Sequence, residues 1–141
     1  MDLLLRSDEN GVATLTMNAP ERLNALSDAM LAALHAAFDE IAEDRAVRAV
    51  ILAGTGKAFC AGHDLKEMQA GRQASDKGAA YFADLFASCS ALMQRIQSIP
   101  QPVIAQVHGI ATAAGNRHVC PGAAVFGELL LKNSDGFCLA A

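Results

Sequence analysis

Two short apolar runs, each ending in a cluster of glycine and alanine, constrain this chain of 141 residues more than any other feature. Val47, Ala49, Val50, Ile51, Leu52 and Ala53 lead into Gly54, and residues 54–63 are small and glycine-rich. Val103, Ile104, Ala105, Gln106 and Val107 lead into a second small-residue turn, from His108 to Gly115. Runs of this length, apolar almost throughout, predict strands buried on both faces, the pattern of a parallel sheet with helices packed over it. A helix between such strands implies a crossover connection, so both turns fall at the same edge of the sheet. The fold class expected is α/β, built from repeated β-turn-α units.

The remaining elements fit around that unit. Leu3-Leu4-Leu5 and Val12–Met17 flank Asn10-Gly11, a pair that tolerates positive φ, and so predict an opening hairpin. Pro20 and the polar stretch after it break the sheet. Ser27 is a suitable N-cap, and Met30, Leu31, Leu34, Phe38 and Ile41 recur at helical spacing, predicting an amphipathic helix from about 28 to 44. His35 lies beside that stripe, as a boundary histidine. Asp64 begins a short helical run through Met68, residues 71–77 read as a polar, mobile link, and Pro100 stops a long amphipathic helix over 78–97. That helix carries Phe82, Leu85, Phe86, Cys89, Leu92, Met93 and Ile96. Beyond Gly115 the pattern degrades, because Pro121 falls where a helix should run. The apolar run from Phe126 to Leu131 has no evident partner.

Composition excludes several classes. Hydrophobic residues make up 52% and charged residues 18%, a globular balance. A formal charge of -4 offers no basic footprint for nucleic acid or an anionic membrane surface, and no apolar stretch reaches the ~18 residues of a membrane span. A cytoplasmic protein of one domain follows as the expectation. Cys60, Cys89, Cys120 and Cys138 form no C-x-x-C pair, and only His118 and Cys120 approach ligand spacing, so the cysteines read as reduced packing residues and no metal site is expected.

Small residues where buried strands end allow a ligand close to the backbone, and the helix N-termini beyond them direct unsatisfied N–H groups at it. Two such donors converging on one oxygen make an oxyanion hole. Either turn alone is weak evidence for one, since glycine after a strand is common in α/β proteins.

Together the turns match a known pattern. Lys57–Leu65 (KAFCAGHDL) and Pro102–Gly115 (PVIAQVHGIATAAG), preceded by Arg22-Leu23-Asn24-Ala25-Leu26, occur in the order found in the enoyl-CoA hydratase/isomerase (crotonase) family, which the chain resembles over about residues 2–115. The resemblance implies a crotonase-like spiral, incomplete at its C-terminus, with residues 1–115 as the acyl-CoA-binding core and 116–141 as a divergent tail of the same domain. It further implies that the backbone N–H groups of Ala61 and Ala114 polarise a thioester carbonyl and stabilise an enolate. Arg22, Ala25, Leu26, Gly62, His63, Asp64 and Leu65 then correspond to the family's contacts with coenzyme A. Acyl-CoA or enoyl-CoA is the implied partner, with coenzyme A arriving as part of the substrate and no other cofactor, and a homo-oligomer is the implied assembly.

The tail departs from the family. Hydratases of this kind carry one glutamate two residues after the last glycine of the second turn and another about twenty residues on, for acid/base work. Here the first position is Arg117, whose guanidinium stays charged and cannot act as a base. Glu128 has the wrong spacing, and Asp135 in Ser134-Asp135-Gly136 reads as a turn residue. Just after the second turn the chain reads as truncated, as altered in reading frame, or as a genuine short variant with a native tail. Three functions stay open: an enoyl-CoA hydratase or isomerase, a non-catalytic acyl-CoA-binding module, and a self-associating structural fragment whose apolar helix faces seek cover.

Overall fold

The computed structural model describes residues 2–111, 129–133 and 136–139. It opens with the expected hairpin, β1 (Leu4–Glu9) and β2 (Val12–Met17), with Asn10 and Gly11 both at positive φ, 52° and 82°, as a tight two-residue turn requires. The first helix, α1 (Asp28–Glu43), starts where Ser27 accepts from Met30 N–H at 3.1 Å. Its predicted stripe of Met30, Leu31, Leu34, Phe38 and Ile41 is buried.

The chain then crosses to β3 (Ala49–Gly54), which lies parallel to β2, and continues through β4 (Ala58–Cys60), α2 (Leu65–Gly71) and α3 (Ala79–Ser98) to β5 (Val103–Gln106), parallel to β3. β6 (Ile110–Ala111) follows, and β7 (Leu129–Asn133) and β8 (Gly136–Leu139) add antiparallel strands. The sheet order is β1-β2-β3-β5-β7-β8, so the apolar run around Leu129–Leu131 has a partner after all, the open edge of β5. Among the described residues, no helix is long and apolar enough to cross a membrane.

Register explains where the core lies. Ala13, Val50 and Val103 align across three strands, as do Leu15, Leu52 and Ala105. Of these, all but the partly buried Leu52 are buried, and both rows face the side packed by α1 and α3. The helices are joined by Arg95 and Asp39 at 2.6 Å and by His35 Nε2 against Ser88 O at 3.0 Å, so His35 is a boundary histidine, as its sequence position suggests. Cys60 and Cys89 are free and buried.

Three expectations are corrected. β3 was expected to be buried on both faces, yet only Val50 is fully buried within it: Ala49, Ile51 and Ala53 alternate to the half-buried opposite face, and Leu52 on the core face is partly buried. Residues 71–77 were expected to be mobile but form hydrogen-bonded turns. Asp76 orders their end by accepting from Gly78 N–H at 2.9 Å and Ala80 N–H at 3.0 Å, so it serves the start of α3 in place of a cap at Gly78. Finally, the two small-residue turns are not simple turns. Each contains a short strand, and β4 and β6 pair in parallel as a second sheet. Gly109 permits this approach: a Cβ there would stand 2.1 Å from Lys57 O, and its φ is +58°.

Candidate functional site

The site assembles where the segment after β4 meets the loop before α1. Leu23 and Asn24 sit at positive φ, 54° and 51°, which folds the loop back on itself. Asn24 is fully buried and holds the fold there: its Oδ1 accepts from Ala19 N–H at 2.9 Å, and its Nδ2 donates to Thr55 O and Ala58 O, each at 2.8 Å. One amide thus joins the loop to both ends of the β3–β4 connection. Sequence reasoning passed over Asn24 as a mere motif letter. The signal available was its place between apolar neighbours, where an amide must find partners.

Beyond β4, Gly62 adopts φ +87° and turns the chain toward α2. Leu26 forms a parallel bridge to His63, through Leu26 N–H to Gly62 O at 2.7 Å and Asp64 N–H to Leu26 O at 3.3 Å. In a parallel bridge of this pattern the central residue's own N–H and C=O face away from the partner strand. The His63 N–H therefore points outward, and no acceptor for it exists among the described residues. Ala61 differs. Its N–H, the expected oxyanion donor, is engaged by Leu23 O at 3.1 Å.

Asp64 is 6% exposed and caps α2, accepting from Lys66 N–H at 2.9 Å and Glu67 N–H at 3.2 Å through Oδ1. Its Oδ2 pairs with Arg22, which also reaches Glu67 at 3.4 Å, while Glu67 accepts from Asp28 N–H at 2.8 Å. Burial opposes the charge on Asp64, but the hydrogen bonds from Glu67 and Lys66 N–H and the Arg22 guanidinium outweigh it and hold the carboxyl below its usual range. The Asp64 carboxylate, expected among the coenzyme A contacts, is thus occupied by the fold itself. Arg22 has two carboxylate partners and stays partly exposed.

The remaining predicted residues gather at the same junction. Ala25 and Leu26 are buried, and Leu65, the first residue of α2, is 75% exposed. The His63 ring meets Phe86 of α3 edge-on at 5.7 Å, with its Nδ1 buried and unpartnered. Burial lowers the imidazole pKa and so favours the neutral ring. Ala114, Arg117, His118, Cys120, Glu128 and Asp135 lie outside the described residues. Ala114 falls three residues after β6, the parallel partner of the strand that leads to His63. No cluster among the described residues could hold a metal ion.

A carbonyl oxygen approaching the outward N–H of His63 would meet a donor fixed by the bridge on one side and by the α2 cap on the other. The sequence model for enoyl-CoA hydratase/isomerase matches residues 7–120, and the chain belongs to that family. Over 119 residues it is 39% identical to the 1,2-epoxyphenylacetyl-CoA isomerase of Escherichia coli, covering 82% of this chain and 43% of that protein. It is 37% identical to mitochondrial enoyl-CoA hydratase domain-containing protein 3 of Xenopus laevis, covering 80% of this chain and 37% of that one. The crystal structure of an enoyl-CoA hydratase from Mycobacterium smegmatis matches at 60% identity and a TM-score of 0.75, over 82% of this chain and 43% of that chain. The fold is thus the crotonase fold, and the chain spans less than half the length of these relatives.

Proposed function

We propose that the protein binds an acyl-CoA thioester and stabilises the enolate formed from it, with backbone N–H groups receiving the thioester oxygen. The observation that carries this reading is the His63 N–H, directed away from its bridge partner and without an acceptor among the described residues. Ala61 N–H being engaged, the first donor belongs two residues further on than the motif alone suggested. Ala114, in the second small-residue segment of the sequence, supplies the second. Arg22, Ala25, Leu26, Gly62 and Leu65 belong to the segments on either side of the donor, and of these the exposed Leu65 offers apolar surface to the coenzyme, which enters as part of the substrate.

Preorganised donors of this kind lower the energy of a developing oxyanion, and removing one typically costs ~10²–10³ in rate. Proton transfer needs a separate group. Asp64 and Glu67 are committed to Arg22 and to helix starts, and Arg117 occupies the position where the family's hydratases carry glutamate. That substitution favours a second reading, a module that binds and polarises the thioester without turning it over.

Difference infrared spectroscopy on an acyl-CoA labelled with carbon-13 at the thioester carbonyl tests the shared core of both readings. The carbonyl stretch should fall in frequency on binding. Binding with no such fall removes the oxyanion assignment. Loss of absorbance from a short enoyl-CoA then separates turnover from binding alone.

A further inference from the structure

Four rings run in contact from the thioester turn along α3. His63 meets Phe86 edge-on at 5.7 Å, Phe86 stacks on Phe82 at 6.1 Å with 23° between planes, and Phe82 meets Tyr81 edge-on at 5.4 Å. The chain has six phenylalanines, one tyrosine and no tryptophan, so gathering three of these seven on one stretch of helix is a concentration the rest of the core does not share.

The row is closed at one end and open at the other. Tyr81 fills the space over Gly71, where a Cβ would come within 2.3 Å of its ring, and Phe82 covers Gly78, where a Cβ would come within 2.9 Å. Phe86, by contrast, is 51% exposed, while Leu85, Cys89, Leu92 and Ile96 on the core face of the same helix are buried. The apolar stripe of α3 is therefore wider than the core it serves. Its surplus lies beside His63, the residue whose N–H carries the proposed thioester contact.

We propose that Phe86, Phe82 and the His63 ring form an aryl-binding wall, and that the protein prefers coenzyme A thioesters whose acyl group bears an aromatic ring close to the carbonyl. This rests on the acyl-thioester reading above. The occupant is fixed by covalent reach: bonds of about 1.5 Å place a ring one carbon from the carbonyl within a few ångströms of the residue that holds the oxygen. Ring pairs favour edge-to-face and offset contacts at centroid separations of ~4.5–7 Å, the arrangement the row already shows, and Phe86 keeps an open side for one more. The imidazole, whose neutral form burial favours, adds its ring edge to the wall. A straight alkyl chain would gain burial here, but not the ring–ring preference.

Isothermal titration with phenylacetyl-CoA and octanoyl-CoA, which have equal numbers of acyl carbons, tests the proposal against free coenzyme A. Phenylacetyl-CoA should bind about 2- to 12-fold more tightly than octanoyl-CoA. Phe86→Leu, which keeps an apolar side chain on an exposed helix face, should abolish that preference, the ratio of the two affinities falling to about one. Equal affinities in the unmodified protein, or a preference that survives both Phe86→Leu and Phe82→Leu, overturn the aryl wall alone. If neither thioester binds more tightly than free coenzyme A, the acyl-thioester reading fails and the wall with it.

Discussion

Replacing Asn24 by alanine should be the most damaging single change near the site. The side chain is fully buried and makes three hydrogen bonds of 2.8–2.9 Å, to Ala19 N–H, Thr55 O and Ala58 O. Each such bond contributes a net ~0.5–1.5 kcal/mol, and alanine leaves all three main-chain partners without the amide that satisfied them. Asn24 also sits at φ 51°, a left-handed conformation that asparagine tolerates and that costs most L-residues about 1–2 kcal/mol. The expected loss is roughly 3–5 kcal/mol, a large share of the ~5–15 kcal/mol typical of a whole domain. Urea denaturation followed by circular dichroism measures it, the midpoint falling by at least ~1 M with unchanged slope. Asn24→Gly separates the contributions, since glycine relieves the backbone strain but restores none of the bonds. It should recover only about 1 kcal/mol. A loss below ~1 kcal/mol in Asn24→Ala, or nearly full recovery in Asn24→Gly, would refute the view that one amide joins these three segments.

Asp64→Ala should cost at least ~0.5–2 kcal/mol through loss of the α2 cap, measured by the same denaturation. Because the folded Asp64 carboxyl is held below its usual range, its stabilisation is complete above the unfolded carboxylate value near pH ~4 and is lost as pH falls through the lower folded value. The acid limb of a stability-against-pH curve should therefore flatten in Asp64→Ala, and an unaltered limb would deny Asp64 that role. Gly109→Ala would set a Cβ 2.1 Å from Lys57 O at a φ of +58°, so a loss of more than ~1 kcal/mol is expected in thermal melts; a neutral result would mean that β4 and β6 separate at little cost. Arg117→Glu should raise the hydration rate of a short enoyl-CoA or leave it at zero. If the unmodified protein hydrates briskly and Arg117→Ala loses that rate with binding intact, Arg117 is catalytic and its reading as a lost glutamate position is wrong.

Periodicity carried the helices and the hairpin because their signals are local. Met30 to Ile41 repeat with the helix, Ser27 stands where a cap is needed, and Asn10-Gly11 can do little else but turn. What the sequence hid depends on distant partners. The pairing of Ala58–Cys60 with Ile110–Ala111 joins segments about fifty residues apart, and each strand is too short to show alternation. The burial of β3 on one face alone was hidden for the same reason, since Ile51 reads like Val50 until the sheet assigns them opposite sides.

The proposed oxyanion donor shows the limit most clearly. A backbone N–H leaves no trace in side-chain identity, so a motif can mark the segment yet not the atom. Choosing between Ala61 and His63 required knowing that Leu23 O takes the first N–H and that the Leu26 bridge turns the second outward. Both facts come from the loop at 22–26, so the early motif and the glycine-rich motif act as one device. The loop takes up the Ala61 N–H through Leu23 O, and the proposed donor, His63 N–H, is the one it leaves pointing outward. On the proposed reading the Arg22 pair with Asp64 acts only through position: it fixes the start of α2, next to His63.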